Sequence, residues 1–204
     1  MMITTVIFDI GRVLARFEWK EYLESFGFSE EVNDAIAQAV FLSKNWAQVD
    51  LGILTDEEVL QAFIQDAPRY AKEITEVFKQ YPTAITLLPY TMDWIRSLQS
   101  KGLKVYYLSN YGKTTKERTI SQLPFLDIMD GGLMSYQVQM IKPDPAFYRE
   151  LFHRYDIIPQ QAVFLDDNED NIAAGKALGL HTILFTDYQS ASQKLHHLIW
   201  DGVF

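Results

Sequence analysis

The chain has 204 residues, of which 48% are hydrophobic and 22% are charged, so it can bury one full-sized core with a modest inserted subdomain but hardly two large domains. It contains no cysteine, which excludes a disulfide framework, a thiolate metal site and a thiol nucleophile. Its formal net charge of -9 opposes sequence-independent binding to nucleic acid, and we expect no nucleic-acid partner.

The first predicted element is a short buried strand, formed by the apolar run of residues 6–8 ahead of Asp9. No basic stretch precedes this run, and no apolar run in the chain approaches the ~20 residues that cross a bilayer. We therefore expect a cytoplasmic protein with no membrane partner.

The next segment carries helical patterns and no convincing strand. Within it, Thr55 and Glu58 form a capping-box pattern ahead of an apolar helical face. We predict that this segment is an all-helical cap that lies over the edge where the sheet strands end. The predicted domains are an α/β core of residues 1–16 and 89–204 and a helical cap subdomain of residues 17–88.

Strand and helix patterns alternate in the rest of the chain. Helical patterns end ahead of Gly102 and Gly179, which suit the left-handed position after a helix. Three apolar runs precede polar residues, namely residues 105–108, 162–165 and 182–185. This alternation predicts a Rossmann-like, doubly wound parallel sheet, in which ligands bind outside the carboxyl ends of the strands.

Polar residues occur at four places that this fold brings to one edge. They are Asp9, then Ser109 and Asn110, then Lys142, then Asp166 and Asp167. Each alone has an ordinary interpretation as a cap or turn residue. The pair Asp166 and Asp167 is the least ordinary, because adjacent carboxylates repel one another unless a cation or hydrogen-bond donors compensate them.

Taken in this order, the residues resemble the four motifs of the haloacid dehalogenase superfamily of hydrolases. The motifs stand here as FDIGRVL at 8–14, LSN at 108–110, IKPDP at 141–145 and FLDDNEDN at 164–171. The match spans almost the whole chain, and the predicted cap matches the family's small helical cap. The branch it resembles contains dehalogenase-like and sugar-phosphate-phosphatase-like members.

The resemblance implies a role for each matching residue. Asp9 would be the nucleophile, attacking phosphorus to give an aspartyl-phosphate that water then hydrolyses. Lys142 would act beside it by neutralising the incoming anion. Phosphoryl oxygens would be held by side chains and main-chain N–H groups of the loops around the nucleophile. The implied phosphate-binding set is Ile10, Gly11, Ser109, Asn110 and Lys142. Arg12 is a further candidate, because it lies close behind Asp9 in the chain and could face the substrate.

The resemblance also implies that Mg²⁺ is the cofactor. Asp9, Asp167 and the main-chain carbonyl of Gly11 would bind this hard cation, and Asp166 would bind it directly or through water. Asn171, one helical turn further on, would contact a ligand rather than the metal.

Gly11 departs from the family pattern. Phosphatases of this family usually have a second Asp at that position, which protonates the leaving oxygen and later deprotonates water. The glycine keeps a carbonyl for the metal but provides no acid. The sequence therefore predicts a preference for good leaving groups, such as aryl, acyl and anomeric sugar phosphates.

The leading interpretation is an Mg²⁺-dependent phosphatase of a small phosphorylated metabolite, with a sugar phosphate as one option. A metal-independent 2-haloacid dehalogenase is an alternative, although paired carboxylates argue against a site without metal. A low-turnover protein that binds a phosphometabolite or a partner is another, because Gly11 removes the usual acid. The sequence does not indicate an oligomeric state.

Overall fold

The computed structural model describes residues 2–201. The strands in chain order are β1 (Thr5–Phe8), β2 (Ala15–Arg16), β3 (Thr86–Leu87), β4 (Lys104–Ser109), β5 (Gly131–Met134), β6 (Ala162–Asp166) and β7 (His181–Leu184). The α-helices are α1 (Trp19–Glu24), α2 (Glu30–Ile36), α3 (Trp46–Leu51), α4 (Asp56–Asp66), α5 (Ala71–Gln80), α6 (Thr91–Ser100), α7 (Lys113–Thr119), α8 (Pro145–Arg154), α9 (Glu169–Ala177) and α10 (Tyr188–His196). Two π-helical segments span Ala37–Phe41 and His197–Asp201.

Five strands form one parallel sheet in the order β5-β4-β1-β6-β7. The central strand β1 pairs Phe8 with Tyr107 of β4 on one side and with Leu165 of β6 on the other. The strand order reverses at β1, which is where ligands bind in doubly wound sheets. The predicted Rossmann-like parallel sheet is confirmed.

The sheet has a hydrophobic core on each face because successive side chains of a strand point in opposite directions. Phe8 belongs to one core cluster and contacts Trp94 of α6, with ring centroids 4.8 Å apart. Ile7 belongs to the other cluster, together with Phe147 and Tyr148 of α8. Helices therefore pack on both faces, and the carboxyl edge is left for the polar residues.

The segment between β2 and β3 contains five α-helices, α1 to α5. The capping box is present, since Thr55 N–H donates to Glu58 Oε2 at 2.8 Å and Glu58 N–H donates to Thr55 Oγ1 at 3.2 Å. The predicted all-helical cap of residues 17–88 also contains β3, which pairs antiparallel with β2. A two-residue strand is too short to produce an alternating pattern, so the sequence did not reveal it. The cap boundaries at residues 17 and 88 remain our proposal.

Among residues 2–201, no helix combines the length and the apolar character that crossing a bilayer requires.

Candidate active site

The central strand delivers Asp9 to the carboxyl edge of the sheet. The Asp9 N–H donates to the Leu165 carbonyl at 2.8 Å, which extends the pairing of β1 with β6 beyond Phe8. The chain then turns tightly, because the Ile10 carbonyl accepts the N–H groups of residues 13–15. This turn fixes the loop that follows the predicted nucleophile.

Lys142 is buried between two carboxylates. Its Nζ lies 2.8 Å from Oδ1 of Asp9 and 2.6 Å from Oδ2 of Asp166, and the residue is 3% exposed. Burial lowers the pKa of Lys142, but the charges of Asp166 and Asp9 outweigh burial, and the net shift of the pKa is upward. Lys142 is therefore a fixed positive charge beside the Asp9 carboxylate.

This contact neutralises Asp9 only in part. Burial raises the pKa of Asp9 to about 6, although the Lys142 ammonium opposes the shift. Among residues 2–201, Oδ1 of Asp9 is buried and has no donor within hydrogen-bond distance apart from the Lys142 ammonium. A second positive charge at this carboxylate would stabilise the ionised form.

Asp166 is fully buried, and its oxygens are already engaged. Oδ1 accepts the Asn168 N–H at 2.8 Å, and the Asn171 amide donates to both oxygens at 3.0 and 3.1 Å. Oδ2 also accepts from Lys142. Asp166 therefore positions the lysine, and the Asn171 amide in turn holds Asp166.

Asp167 is the more accessible of the two adjacent carboxylates. Its side chain is 21% exposed, and Oδ2 accepts from Nη1 of Arg12 at 2.9 Å. Burial and the charge of Asp166 raise the pKa of Asp167, and Arg12 acts in the opposite direction. Nε of Arg12 also lies 3.6 Å from Oε1 of Glu18. The contact of Arg12 with phosphate stays a prediction.

Three carboxylates offer a cation site. Oxygens of Asp9, Asp166 and Asp167 lie within 4.8 Å of one another. Hard oxygen donors of this kind suit Mg²⁺, which binds through one or two carboxylates and keeps several waters. Oδ1 of Asp9, which has only the Lys142 ammonium beside it among the described residues, fits the same interpretation. Because both oxygens of Asp166 already accept hydrogen bonds, Asp9 and Asp167 would be the better direct ligands of a cation.

Hydrogen bonds join the second motif, at Asn110, to the third motif, at Lys142. The Asn110 amide donates to the Lys142 carbonyl at 3.0 Å, and the Lys142 N–H donates to Asn110 Oδ1 at 2.7 Å. Ser109 ends β4, next to β1, and is 1% exposed. Ile10 is fully buried, and its carbonyl accepts the N–H groups of residues 13–15, so its predicted contact with phosphate stays a prediction. Gly11 lines a cavity beside these loops.

A cavity of about 80 Å³ lies between the core loops and the helical segment. Its lining is mostly aromatic and aliphatic, and it is formed by Gly11, Ala15, Phe17, Trp46, Asp50, Tyr81, Ile85, Asn110, Tyr111 and Thr115. Asp50, on α3, is an acidic residue in this lining that the sequence analysis missed. It belongs to none of the four motifs, and its position on one short helix gives no signal of the fold that brings it here.

Similar proteins include two fungal proteins. The drimenol cyclase drtB of Aspergillus calidoustus is 25% identical over 200 residues, covering 97% of this chain and 37% of that protein. The sesquiterpene phosphatase astK of Aspergillus oryzae is 23% identical over 193 residues, covering 95% of each chain. The chain thus spans little more than a third of the first protein and nearly all of the second.

A solved structure of a HAD family enzyme from Bacteroides thetaiotaomicron has a TM-score of 0.70 at 22% identity, covering 97% of this chain and 98% of that chain. Its complex with magnesium and inorganic phosphate gives a TM-score of 0.68 at 21% identity, covering 92% of this chain and 98% of that chain. These similarities show a shared fold. The family described as haloacid dehalogenase-like hydrolase matches residues 3–179, and the chain belongs to that family of hydrolases.

Proposed function

We propose that the protein is an Mg²⁺-dependent phosphatase that hydrolyses a small phosphorylated metabolite through an aspartyl-phosphate. The observation that carries the proposal is the Asp9 carboxylate, held 2.8 Å from a buried lysine within a cluster of three carboxylates. Such a cluster suits a metal-assisted attack on a phosphate dianion. It has little use in a metal-free displacement of halide.

Asp9 would attack phosphorus, and the bond between phosphorus and the leaving oxygen would break as the aspartyl-phosphate forms. Water would then attack the same phosphorus, releasing phosphate and restoring the carboxylate. Lys142 would stabilise the negative charge that builds up near Asp9 during both steps. Bound Mg²⁺, held by Asp9 and Asp167, would supply further charge stabilisation at the phosphoryl oxygens.

The backbone of the loop after Asp9, with Ser109 and Asn110, would hold the phosphoryl oxygens at the edge of the sheet. The leaving group would occupy the adjacent cavity. The apolar lining of that cavity favours a compact leaving group with apolar surface over a polyhydroxylated sugar. The match to a sesquiterpene phosphatase over 95% of this chain supports the apolar character of the leaving group.

A panel of phosphomonoesters tested with and without Mg²⁺ examines this proposal. We expect phosphate release that requires Mg²⁺, stops on exhaustive chelation and is absent from the nearly isosteric variant Asp9→Asn. Halide release from 2-haloacids should be absent. Undiminished hydrolysis after chelation, or substantial activity in a folded Asp9→Asn variant, would contradict the proposal.

A further inference from the structure

Helix α3 docks directly on the core beside the predicted phosphate-binding loop. The Ser135 hydroxyl donates to the Asp50 carbonyl at 2.5 Å, and the same hydroxyl oxygen accepts the Tyr111 N–H at 2.8 Å. Ser135 is fully buried. The Ser135 hydroxyl therefore links the main chain of Asp50 to the main chain of Tyr111, which follows Asn110.

A close backbone approach fixes the same helix at a second point. A Cβ built on Gly112 would lie 2.3 Å from the Val49 carbonyl oxygen, so this approach requires a glycine at position 112. Val49 immediately precedes Asp50. These two contacts hold Asp50 at a defined place on the cap side of the cavity.

The Asp50 carboxyl has no paired cation among the described residues. Tyr81 and Tyr111 line the same cavity, and the charges of Asp9 and Lys142 act on Asp50 through space. Across residues 2–201, no lysine or arginine lies within ion-pair distance of Asp50. Burial raises the pKa of Asp50 to about 7, the Asp9 charge adds to the shift and Lys142 opposes it.

We propose that Asp50 is the general acid and base that Gly11 does not supply. This inference rests on the proposed phosphatase function and names a further catalytic residue for it. In phosphoryl transfer the attacking and leaving oxygens are roughly in line, so the leaving oxygen departs on the side of phosphorus opposite Asp9. The cap helix carrying Asp50 covers the cavity in which that leaving group would lie.

The proton balance closes over the two steps. As the bond between phosphorus and the leaving oxygen breaks, protonated Asp50 gives its proton to that oxygen and the alcohol leaves. The Asp50 carboxylate then takes a proton from water while the water oxygen bonds to phosphorus and the bond from phosphorus to Asp9 breaks. Phosphate is released, and Asp50 is again protonated.

This assignment replaces the expectation drawn from Gly11 alone. With a proton donor in place, the wild-type enzyme should hydrolyse both alkyl and aryl phosphates, because the poor alkyl leaving group is protonated as it departs. The preference for good leaving groups should appear only when Asp50 loses its proton.

The first test compares butyl phosphate with 4-nitrophenyl phosphate in single-turnover measurements of alcohol release. Asp50→Asn should slow release of butanol by ~10²–10⁴-fold, the usual value of general acid catalysis, and release of 4-nitrophenol far less. Asp34→Asn, the same change on exposed cap helix α2, is the matched control and should behave as wild type. Equal slowing of both substrates by Asp50→Asn, or no slowing, would overturn the assignment.

The second test follows the aspartyl-phosphate itself. Without a base to activate water, Asp50→Asn should release 4-nitrophenol in a burst and retain labelled phosphate on the protein, whereas wild type should not. A purely structural role for Asp50 would slow both steps and give no such accumulation. A folded Asp50→Asn variant that turns over 4-nitrophenyl phosphate without a burst therefore contradicts the base role.

A second-site change provides a rescue experiment. A Cβ on Gly11 would meet no atom within 4 Å, and its φ lies outside the left-handed region, so an Asp fits there. The double variant Asp50→Asn with Gly11→Asp should release butanol from butyl phosphate at least ~10-fold faster than Asp50→Asn alone. If the double variant folds but hydrolyses butyl phosphate no faster, or gains equally on 4-nitrophenyl phosphate, Asp50 is not the general acid. If wild type hydrolyses no phosphomonoester, it is the phosphatase proposal that fails.

Discussion

Asn110 and Lys142 exchange two hydrogen bonds, each using the side-chain amide of Asn110 and the main chain of Lys142. The lysine ammonium at the other end of that residue is buried against Asp9 and Asp166. The amide of Asn110 therefore holds in place the main chain that carries the charge beside the nucleophile.

Asn110→Ala should lower kcat by about 10–100-fold, the range seen when a partner that orients a functional residue is removed. It should also lower the free energy of unfolding by ~1–3 kcal/mol, since a buried donor and acceptor lose their partners. Asn110→Asp keeps the acceptor for the Lys142 N–H and should lie between wild type and Ala. Steady-state kinetics and urea unfolding measure both effects. Unchanged values for Asn110→Ala would show that this pairing does not position the lysine.

The two adjacent carboxylates should respond differently to substitution. Asp167→Asn should weaken Mg²⁺ binding with little change in stability, because Asp167 is accessible and its contact with Arg12 is near the surface. Asp166→Asn should lower the free energy of unfolding by about 3 kcal/mol, because it leaves buried Lys142 with one carboxylate partner. Calorimetric titration of Mg²⁺ and urea unfolding separate the two roles. Loss of metal binding in Asp166→Asn with stability retained would reverse the assignment.

Arg12 and a bound cation would compete for Asp167. The Arg12 guanidinium occupies one oxygen of that carboxylate at 2.9 Å. We expect Arg12→Ala to leave Mg²⁺ affinity unchanged or to increase it a few-fold, because a positive charge is removed beside the metal site. If Arg12 also contacts phosphate, KM for the substrate should rise in the same variant. Weaker Mg²⁺ binding in Arg12→Ala would show that Arg12 instead orders Asp167 for the metal.

The fold and the motif residues could be predicted from sequence because their signals are local. A run of apolar residues ending at Asp9 or at Asp166 specifies both a buried strand and the edge at which the carboxylate lies. Asp50 gives no such signal. It reaches the cavity through the docking of α3 on Ser135 and Gly112, which are 85 and 62 residues away in the chain. The contact between Arg12 and Asp167, 155 residues apart, was hidden for the same reason.

Holding Asp50 ready to donate a proton has a cost in stability. Its pKa in the folded state is raised from 3.8 to about 7. For a carboxyl group with a raised pKa, the folded state binds the proton more tightly than the unfolded chain does. Stability is therefore lost as pH rises from about 4 to about 7, and the loss is complete above pH 7.

Asp50→Asn removes the ionisation and should remove that loss. At pH 8 the variant should be more stable than wild type by about 4 kcal/mol, whereas at pH 4 the two should differ little. Urea unfolding with chelator present, at a series of pH values, measures the difference without a contribution from bound metal. Asp34→Asn, which changes an exposed carboxylate, should show no comparable gain at pH 8. A wild-type protein as stable as Asp50→Asn at pH 8 would mean that the Asp50 carboxylate is well solvated in the folded state, and a solvated carboxylate would not hold a proton for the leaving group at neutral pH.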